Sequence, residues 1–440
     1  MDKRKIFKSA LSLIIVGLIT KIFASIAKII MARSLNVTAM GIYMLVIPLY
    51  IFLVNVIQLS LPTTIATKIA NNPKQTNKII ITSSIISLTI NVFFMILIIS
   101  LSPFIATNVL KNESTKLSIM SLALLIPLIS LGGLIKGYYM GIGNVEITGY
   151  SQISEEIARI IFIVIFVYIF RDKGDAYLAY GAFLSLSAGE VFSLTHMVLK
   201  LPNLKNKPKL FLKGLKEKNN YITKDILNTA LPLTSGKLIS TIAYSLEPII
   251  MTSLMLKLGH SSEYITSEYG IISGYAFPLL LLPGFFANAF SRVLLHPLTT
   301  CISNKEYLKG KKLIISICLA SFSIGFIFSV IMFMFPEFLM NILYGSEIGS
   351  NYVKLFAFPI ILYYIESPLI SAMMAISKTR NIMIYDTIVS IIRILSMLVL
   401  IPKVGILGVP ISTSINSSLL VILFVINIYS FFKDKDKMIV

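Results

Sequence analysis

The amino-acid sequence predicts an all-α, polytopic membrane protein of about twelve transmembrane helices in two six-helix lobes. Two observations predict the class: 56% of the 440 residues are hydrophobic, and only 13% are charged. A mean hydropathy of +0.85 is typical of helices surrounded by lipid rather than water. A third observation, several short motifs that recur about 230 residues later, predicts the two lobes.

Breaks in hydropathy divide the chain into twelve predicted spans, and about 20 residues suffice to cross a bilayer. The first span is too long for a removable signal peptide. Loops rich in Lys and Arg alternate with base-poor loops, so both chain ends are expected in the cytoplasm. This asymmetry also explains the net charge of +19, and no nucleic-acid partner is expected. The predicted spans are 9–32, 40–68, 77–101, 115–138, 149–170, 176–199, 224–256, 268–296, 311–335, 350–376, 382–401 and 405–432.

The longest loop divides the chain into halves. Leu201 to Lys224 contains seven lysines, one acid and two prolines. We therefore predict an N-lobe at 1–200 with spans one to six, a basic cytoplasmic linker at 201–223, and a C-lobe at 224–440 with spans seven to twelve. The linker either docks on anionic lipid headgroups, at about 1 kcal/mol per base, or only fixes the topology.

Several motifs of the first half recur in the second half. Six spans per unit keep the same orientation in both halves. A pseudo-two-fold axis along the membrane normal and a central cleft between the lobes are therefore expected. The matching positions are Gly41 with Gly270, Pro48 with Pro278, Pro127 with Pro359, and Arg159 with Arg393.

The first span, within Ile6 to Arg33, carries Lys21, Lys28 and Arg33 but no acid. A charged group at mid-bilayer costs about 2.5–3.5 kcal/mol, whereas each Leu, Ile or Phe returns about 0.3–0.6. Lys21 and Lys28 are seven residues apart and leave the helix on nearly the same side. Either these bases snorkel to the interface, or they form a positive wall that receives an anion from a water-filled cavity.

Span seven contains a second base of the same kind. Lys237 is the repeat counterpart of Lys21 and shares a helix face with Tyr244. Glu247 lies directly before a proline, where the helix is expected to kink. Glu247 is a counter-charge for Lys237, a proton-linked carboxylate, or a buried acid bonded to Tyr or Ser. The predicted substrate-binding residues are Lys21, Lys28, Lys237 and Tyr244.

Span five carries a cluster of opposite charges. Glu155 and Arg159 are four residues apart with the acid first, which is the favourable helical order, and Glu156 can reach Arg159 from three residues away. The cluster either braces the hairpin of spans four and five or acts as a gate. The predicted gating or structural charges are Glu155, Glu156, Arg159, Glu247 and Arg393.

The sequence contains no Walker lysine loop, HExxH, GxSxG or clustered acidic metal site. The histidines lack ligand spacing, and Cys301 and Cys318 cannot form a metal site alone. We therefore expect no enzymatic activity, no cofactor and no metal.

Three motifs carry a resemblance to a known family: KIFASIAKIIMARSL from Lys21, GxYMxxxPL from Gly41, and SQxxEExxR from Ser151. They resemble the stage V sporulation protein B family, in the polysaccharide-flippase branch of the multidrug/oligosaccharidyl-lipid/polysaccharide (MOP) exporter superfamily. The resemblance continues to Ser235–Met251. It implies a two-lobe flippase for undecaprenyl-pyrophosphate-linked saccharide precursors, working by alternating access in the cell membrane. Peptidoglycan or spore-cortex synthesis is the implied process. Members near the lipid II flippases often have fourteen spans, so the twelve predicted here would lack the accessory lipid groove of the extra pair.

Other functions stay open at this point. A cation-coupled multidrug exporter of the same superfamily should have an acidic site in the amino lobe, and the first span has none. A membrane glycosyltransferase or polymerase should have a sizeable outer loop or acidic catalytic residues outside, and a scaffold would tolerate loss of Lys21. The expected partners of a monomeric flippase are a lipid-linked oligosaccharide, membrane lipids and cell-wall synthesis proteins.

The predicted topology can be tested by cysteine labelling in a background with Cys301 and Cys318 replaced. A cysteine at Ser261 should react with an impermeant reagent from outside the cell, and one at Lys213 only from inside. Reaction of both from the same side, or the reverse pattern, would contradict the twelve-span arrangement.

Overall fold

The computed structural model describes residues 3–201 and 220–436, with side chains from position 16 onward except at 18, 220 and 436. Every regular element within these ranges is helical. Contacts divide the chain into two compact units, Met1–Ser245 and Leu246–Val440. This boundary lies inside one long helix, whereas the sequence analysis placed it in the linker at 201–223. Most of that linker lies outside the described residues, so the predicted domain limits stay a prediction.

The first unit contains two features that define its helix ends. Asn36 begins the second helix, because its side-chain oxygen accepts a hydrogen bond from the Ala39 N–H at 2.8 Å. Leu59 and Ser60 adopt left-handed backbone angles and separate the second helix from the third. The helices are α1 (Lys3–Ser34), α2 (Val37–Gln58), α3 (Leu61–Asn71), α4 (Thr76–Phe104), α5 (Lys116–Gly141), α6 (Val145–Phe170), α7 (Asp175–Leu199) and the first part of α8 (Asn220–Lys257).

The second unit has more broken helices. A π-helical segment, Ile271–Ala276, joins two helices, and the helical path bends by 49° before Gly284. A core of buried apolar side chains, including Leu294, Met373 and Phe424, lies between the later helices. The elements are the rest of α8, α9 (Ser262–Gly270), α10 (Phe277–Leu280), α11 (Gly284–Ser303), α12 (Tyr307–Met334), α13 (Pro336–Tyr344), α14 (Ser350–Phe356), α15 (Tyr363–Ala375), α16 (Thr379–Val404) and α17 (Gly408–Asp436).

Seven of the described helical stretches are long and apolar enough to cross a membrane, or eight if the bent pair is one span. One of them, Thr379–Lys435, combines the two last predicted spans. Helix α6 is not among them because Glu155, Glu156 and Arg159 interrupt its apolar sequence. The all-helical, multi-pass class is confirmed, whereas the count of twelve stays a prediction.

Helix α5 packs very closely on α3 because glycines recur at every fourth position, at Gly133, Gly137 and Gly141. A Cβ on Gly137 would lie 2.7 Å from the carbonyl oxygen of Pro62. A Cβ on Gly141 would lie 2.7 Å from the Cβ of Ile69. Lipid tails are as apolar as Leu, so close approach over small residues is a main source of helix association in membranes.

Helix α4 is joined to α5 by buried hydrogen bonds. The Asn91 amide donates to Ser130 Oγ at 2.8 Å, and the Ser87 and Ser130 hydroxyls are 2.8 Å apart. Much of the remaining surface of α4 is apolar and accessible, as at Phe93. An interhelical bond of this kind is worth about 0.6–2 kcal/mol in a membrane protein. These bonds therefore set which face of α4 contacts the unit.

Gly137→Ala should destabilise the detergent-solubilised protein by about 1–3 kcal/mol, because the new methyl group would overlap the backbone of Pro62. Thermal melting measures the effect. Gly310→Ala is the matched control, since its nearest neighbour is the flexible Leu298 Cδ1 at 3.3 Å. Equal melting temperatures for Gly137→Ala and wild type would contradict the close α3–α5 contact.

Candidate functional site

Charged side chains from three apolar helices of the first unit lie together where α5, α6 and α7 pack against one another. Ionisable groups inside a transmembrane bundle are costly, so such a group is a candidate functional site. We call this set the charge cluster, and its members are Lys136, Glu155, Glu156, Arg159 and Glu190.

Arg159 lies at the centre of the charge cluster. Its Nη1 donates to Glu156 Oε2 at 2.9 Å, and its Nη2 donates to Glu155 Oε1 at 3.3 Å. The side chains of Glu155 and Glu156 are 13% and 10% exposed, and that of Arg159 is 25% exposed. Both contacts are those expected from helical spacing. Their role as a brace or a gate stays a prediction.

Two neighbouring helices complete the charge cluster. Lys136 of α5 lies 3.6 Å from Glu155 Oε2. Helix α7 comes close to α6 at Gly189, where a Cβ would lie 2.9 Å from the carbonyl oxygen of Glu155. The next residue, Glu190, is therefore next to the Glu155 carboxyl group, within hydrogen-bonding reach.

The sequence analysis did not place Lys136 and Glu190 in the site. The sequence alone suggests that Glu190 has a polar partner, because an acid in an apolar helix usually does. Lys136 is flanked by Gly132 and Gly133 on one side and Gly137 on the other. Glycines of this kind indicate that α5 lies close to other helices there. Neither signal names the partner, since that depends on how the helices pack.

The two lysines of the first span lie beside the charge cluster. Helix α1 packs against α6, where a Cβ on Gly149 would lie 2.6 Å from Val16. Lys28 interacts electrostatically with Lys21, Arg159 and Glu156. Both lysines are accessible at the surface of the chain. The first unit thus contains two neighbouring bases on α1 beside the charge cluster.

The other two predicted substrate-binding residues lie on α8. Lys237 is accessible, and its carbonyl oxygen accepts a hydrogen bond from Thr241 Oγ1 at 2.6 Å. Tyr244 is half-buried. A shared cavity for Lys237 and Lys21 stays a prediction.

The second unit has its own buried ion pair. Glu247 of α8 forms a salt bridge with Arg393 of α16. The Tyr269 hydroxyl donates a hydrogen bond to Glu247 Oε1 at 2.9 Å. Glu247 is only 5% exposed. Of the partners considered for this acid, the structure places a tyrosine beside it, whereas its arginine partner was not predicted.

The repeat-related arginines are both ion-paired, but their acids come from different places. Arg159 pairs within its own helix. At the positions that correspond to Glu155 and Glu156, α16 has Val389 and Ser390. The carboxylate for the second arginine therefore comes from another helix, α8.

Two further polar contacts were not predicted. Lys68 of α3 and Asp225 of α8 form an ion pair of 2.5 Å within the first unit. Ser417 donates a hydrogen bond to Glu366 at 3.1 Å in the second unit. Among the described residues, no group of three or more His, Cys, Asp or Glu side chains is placed to hold a metal ion.

Comparison with known families identifies the class of protein. The family described as "Polysaccharide biosynthesis protein" matches residues 6–300, which is more than half of the chain. The chain therefore belongs to this family. The family resemblance drawn from the sequence motifs is confirmed.

Two curated proteins of Bacillus subtilis (strain 168) are similar to the chain. Stage V sporulation protein B is 26% identical over 422 residues, covering 93% of this chain and 80% of that protein. Sporulation protein YkvU is 21% identical over 338 residues, covering 75% of this chain and 73% of that protein.

Solved structures define the fold. An inward-facing multidrug-resistance MATE family transporter of the MOP superfamily matches with a TM-score of 0.75 at 14% identity, covering 95% of this chain and 96% of that one. The lipid II flippase MurJ in an inward closed conformation matches with a TM-score of 0.68 at 15% identity. This match covers 95% of this chain and 87% of that one. The chain therefore has the fold of MOP-superfamily membrane transporters, which confirms the predicted fold class.

Arg159→Ala should lower the melting temperature of the solubilised protein, because Glu156 would lose its cation while Glu155 would keep Lys136. Breaking a fully buried ion pair costs about 3–5 kcal/mol of folding stability. The cost here should be smaller, since the Arg159 side chain is 25% exposed.

The double variant Glu156→Gln/Arg159→Leu should recover part of this loss, because position 156 no longer carries a charge that has lost its cation. Arg171→Ala is the matched control, since the Arg171–Asp172 pair is 60% and 86% exposed and should contribute little. If Arg159→Ala and Arg171→Ala melt alike, the charge cluster does not contribute to stability.

Proposed function

We propose that this chain flips a lipid-linked saccharide precursor that carries a pyrophosphate across the cell membrane by alternating access. Membership of the polysaccharide biosynthesis family and the MOP transporter fold support the coarse assignment, a membrane flippase. An undecaprenyl-pyrophosphate-linked saccharide of the lipid II kind, used in peptidoglycan or spore cortex, is the specific substrate proposed. The similarity to a sporulation protein and to a lipid II flippase supports this choice.

The observation that carries the proposal is the pair of bases on α1. Lys28 has Glu156 as an acidic neighbour, but the Glu156 carboxylate already accepts a hydrogen bond from Arg159 at 2.9 Å. The positive charge of Lys21 and Lys28 is therefore not neutralised by this acid. An anion that reaches these ammonium groups would relieve their mutual repulsion, which lets the site favour a bound diphosphate.

Lysine suits a transported diphosphate better than arginine does. Its ammonium group is a mobile point charge, whereas the guanidinium group holds phosphate in a fixed bidentate geometry. A transporter must release its substrate on the far side, so weak and adaptable binding is useful. We extend the proposed site to Lys237 because it is the repeat counterpart of Lys21, and to Tyr244 because it shares a helix face with Lys237.

The remaining properties follow from this function. The chain is a multi-pass membrane protein, and we propose that it lies in the cell membrane with both termini in the cytoplasm. As a flippase it would catalyse no covalent chemistry. Its partners would be the lipid-linked substrate, membrane lipids and cell-wall synthesis proteins, and it would act as a monomer.

A cation-coupled drug exporter is the second candidate. The buried acid Glu190 favours it, because such an exporter needs an acidic group in the amino lobe. The accessible bases of α1 oppose it, since they would repel a cationic drug.

Lys21→Ala and Lys237→Ala should each reduce flipping of a labelled lipid-linked diphosphosaccharide in proteoliposomes to below about a tenth of wild type, because each removes a charge that binds the diphosphate. Lys21→Arg should retain part of the activity and Lys21→Glu none. Melting temperatures measured in parallel establish that the variants are folded.

Lys309→Ala is the control, because Lys309 is 72% exposed on the second unit. Full flipping by a folded Lys21→Ala/Lys237→Ala variant would overturn the anion site. Transport of a cationic dye, without flipping of the saccharide lipid, would instead favour the drug-exporter function.

A further inference from the structure

Glu190 is a buried acid with one carboxyl oxygen that receives no hydrogen bond from the described part of the chain. The residue is only 8% exposed. Its Oε2 atom is buried, and none of the described groups donates a hydrogen bond to it. A buried carboxylate oxygen without a donor is rare, because the desolvated charge is not compensated.

The neighbour that Glu190 faces is another acid. Its carboxyl group and that of Glu155 are within hydrogen-bonding reach of each other. Two ionised carboxylates are both acceptors and cannot hydrogen-bond to each other. A single proton on either group supplies the missing donor.

Close helix packing brings the two acids together. A Cβ on Gly189 would lie 3.4 Å from Glu155 Cγ, which shows how tightly α7 lies against α6 at this point. On the other side, a Cβ on Gly132 would lie 3.3 Å from Glu190 Oε2. The Glu190 carboxyl group is thus confined between α5 and α6.

Within the charge cluster, the acids also outnumber the bases. Arg159 bonds Glu155 and Glu156, and Lys136 lies 3.6 Å from the Oε2 atom of Glu155. The charge cluster therefore has three acids and two bases. The titratable and charged groups that interact with Glu190 are Glu155 and Arg159 of α6, Lys136 of α5 and Tyr50 of α2.

We propose that Glu155 and Glu190 form a proton-binding site that holds one proton between the two carboxyl groups. Loss of the proton places two adjacent negative charges in the buried cluster, as in other carboxyl dyads that share one proton. Because each ion pair of the cluster is in contact with the next, this change in charge alters the electrostatic field at Arg159 and Glu156.

The second part of this inference rests on the proposed function. Glu156 and Arg159 interact electrostatically with Lys28, one of the bases proposed to bind the diphosphate. A bound anion makes the local potential more negative and so favours proton binding by the acid pair. Thermodynamic reciprocity requires that the proton also strengthens anion binding.

Melting as a function of pH tests the proton site in the full-length, detergent-solubilised protein. The folded pair holds a proton that the unfolded glutamates release, so stability should fall as the pH rises and the shared proton is lost. Glu190→Gln keeps the shape, donates its amide N–H to Glu155 and cannot ionise. Its stability should therefore depend less on pH than that of wild type, whereas the exposed-site control Asp172→Asn should follow wild type.

Labelling with dicyclohexylcarbodiimide gives a second readout, because this reagent modifies protonated carboxyl groups in apolar surroundings. Mass spectrometry should locate the label on Glu155 or Glu190, in amounts that decrease as the pH rises. Glu190→Gln should leave Glu155 unlabelled, because the variant cannot form the carboxyl pair that holds the proton. Equal pH dependence of melting in wild type and Glu190→Gln overturns the proton site, whatever the labelling shows.

The coupling to substrate is measured by flipping at several pH values in proteoliposomes with equal pH on both sides. The wild-type KM for the lipid-linked diphosphosaccharide should rise several-fold as the pH increases. The KM of Glu190→Gln should stay low, because the variant resembles the protonated state. A parallel rise in both proteins overturns the coupling. If the saccharide lipid is not flipped at any pH, the proposed function fails, while melting and labelling still decide whether the proton site exists.

Discussion

A charge that is buried among apolar helices needs a counter-charge from the protein itself, because lipid supplies none. In the first unit, Arg159 is the central cation of such an ion-pair network. The guanidinium group binds the two glutamates that precede it on α6. Two carboxylates for one cation leave an excess, which Lys136 of α5 offsets. Helix α7 then adds a third acid, so three packed helices are linked through one network. Loss of Arg159 would leave Glu156 without its hydrogen-bonded cation in a poorly solvated place.

The same requirement is met differently in the second unit. Arg393 has no acid on its own helix at the repeat positions of Glu155 and Glu156, and it pairs with Glu247 of α8 instead. In the first unit the neutralising acids are within one helical turn, so the pair forms with the helix itself. In the second unit the pair exists only when α8 and α16 are packed together. An internal repeat can thus keep a buried arginine while the source of its counter-charge changes.

The sequence predicted the class of the fold, because hydropathy and the placement of bases depend only on local composition. The contacts of Arg159 with Glu155 and Glu156 were also predictable, since helical spacing determines them. The contact between Glu155 and Glu190 was not, because it depends on the close approach of α7 at Gly189. Contacts between helices depend on packing, which one sequence does not encode in any local pattern. The number of spans was difficult to predict because charged residues interrupt the apolar sequence of α6, and their partners lie on other helices.

The charges of α6 have a consequence for how the protein enters the membrane during synthesis. Each charged group inserted alone at the centre of a helix costs about 2.5–3.5 kcal/mol on the scale of the insertion machinery. Three such groups make α6 a poor substrate for insertion as a single helix. Only Ile142–Asn144 and Arg171–Gly174 separate α6 from α5 and α7. The helices that supply Lys136 and Glu190 therefore emerge from the ribosome directly before and after it, and co-insertion of all three would let the charges pair before they meet lipid.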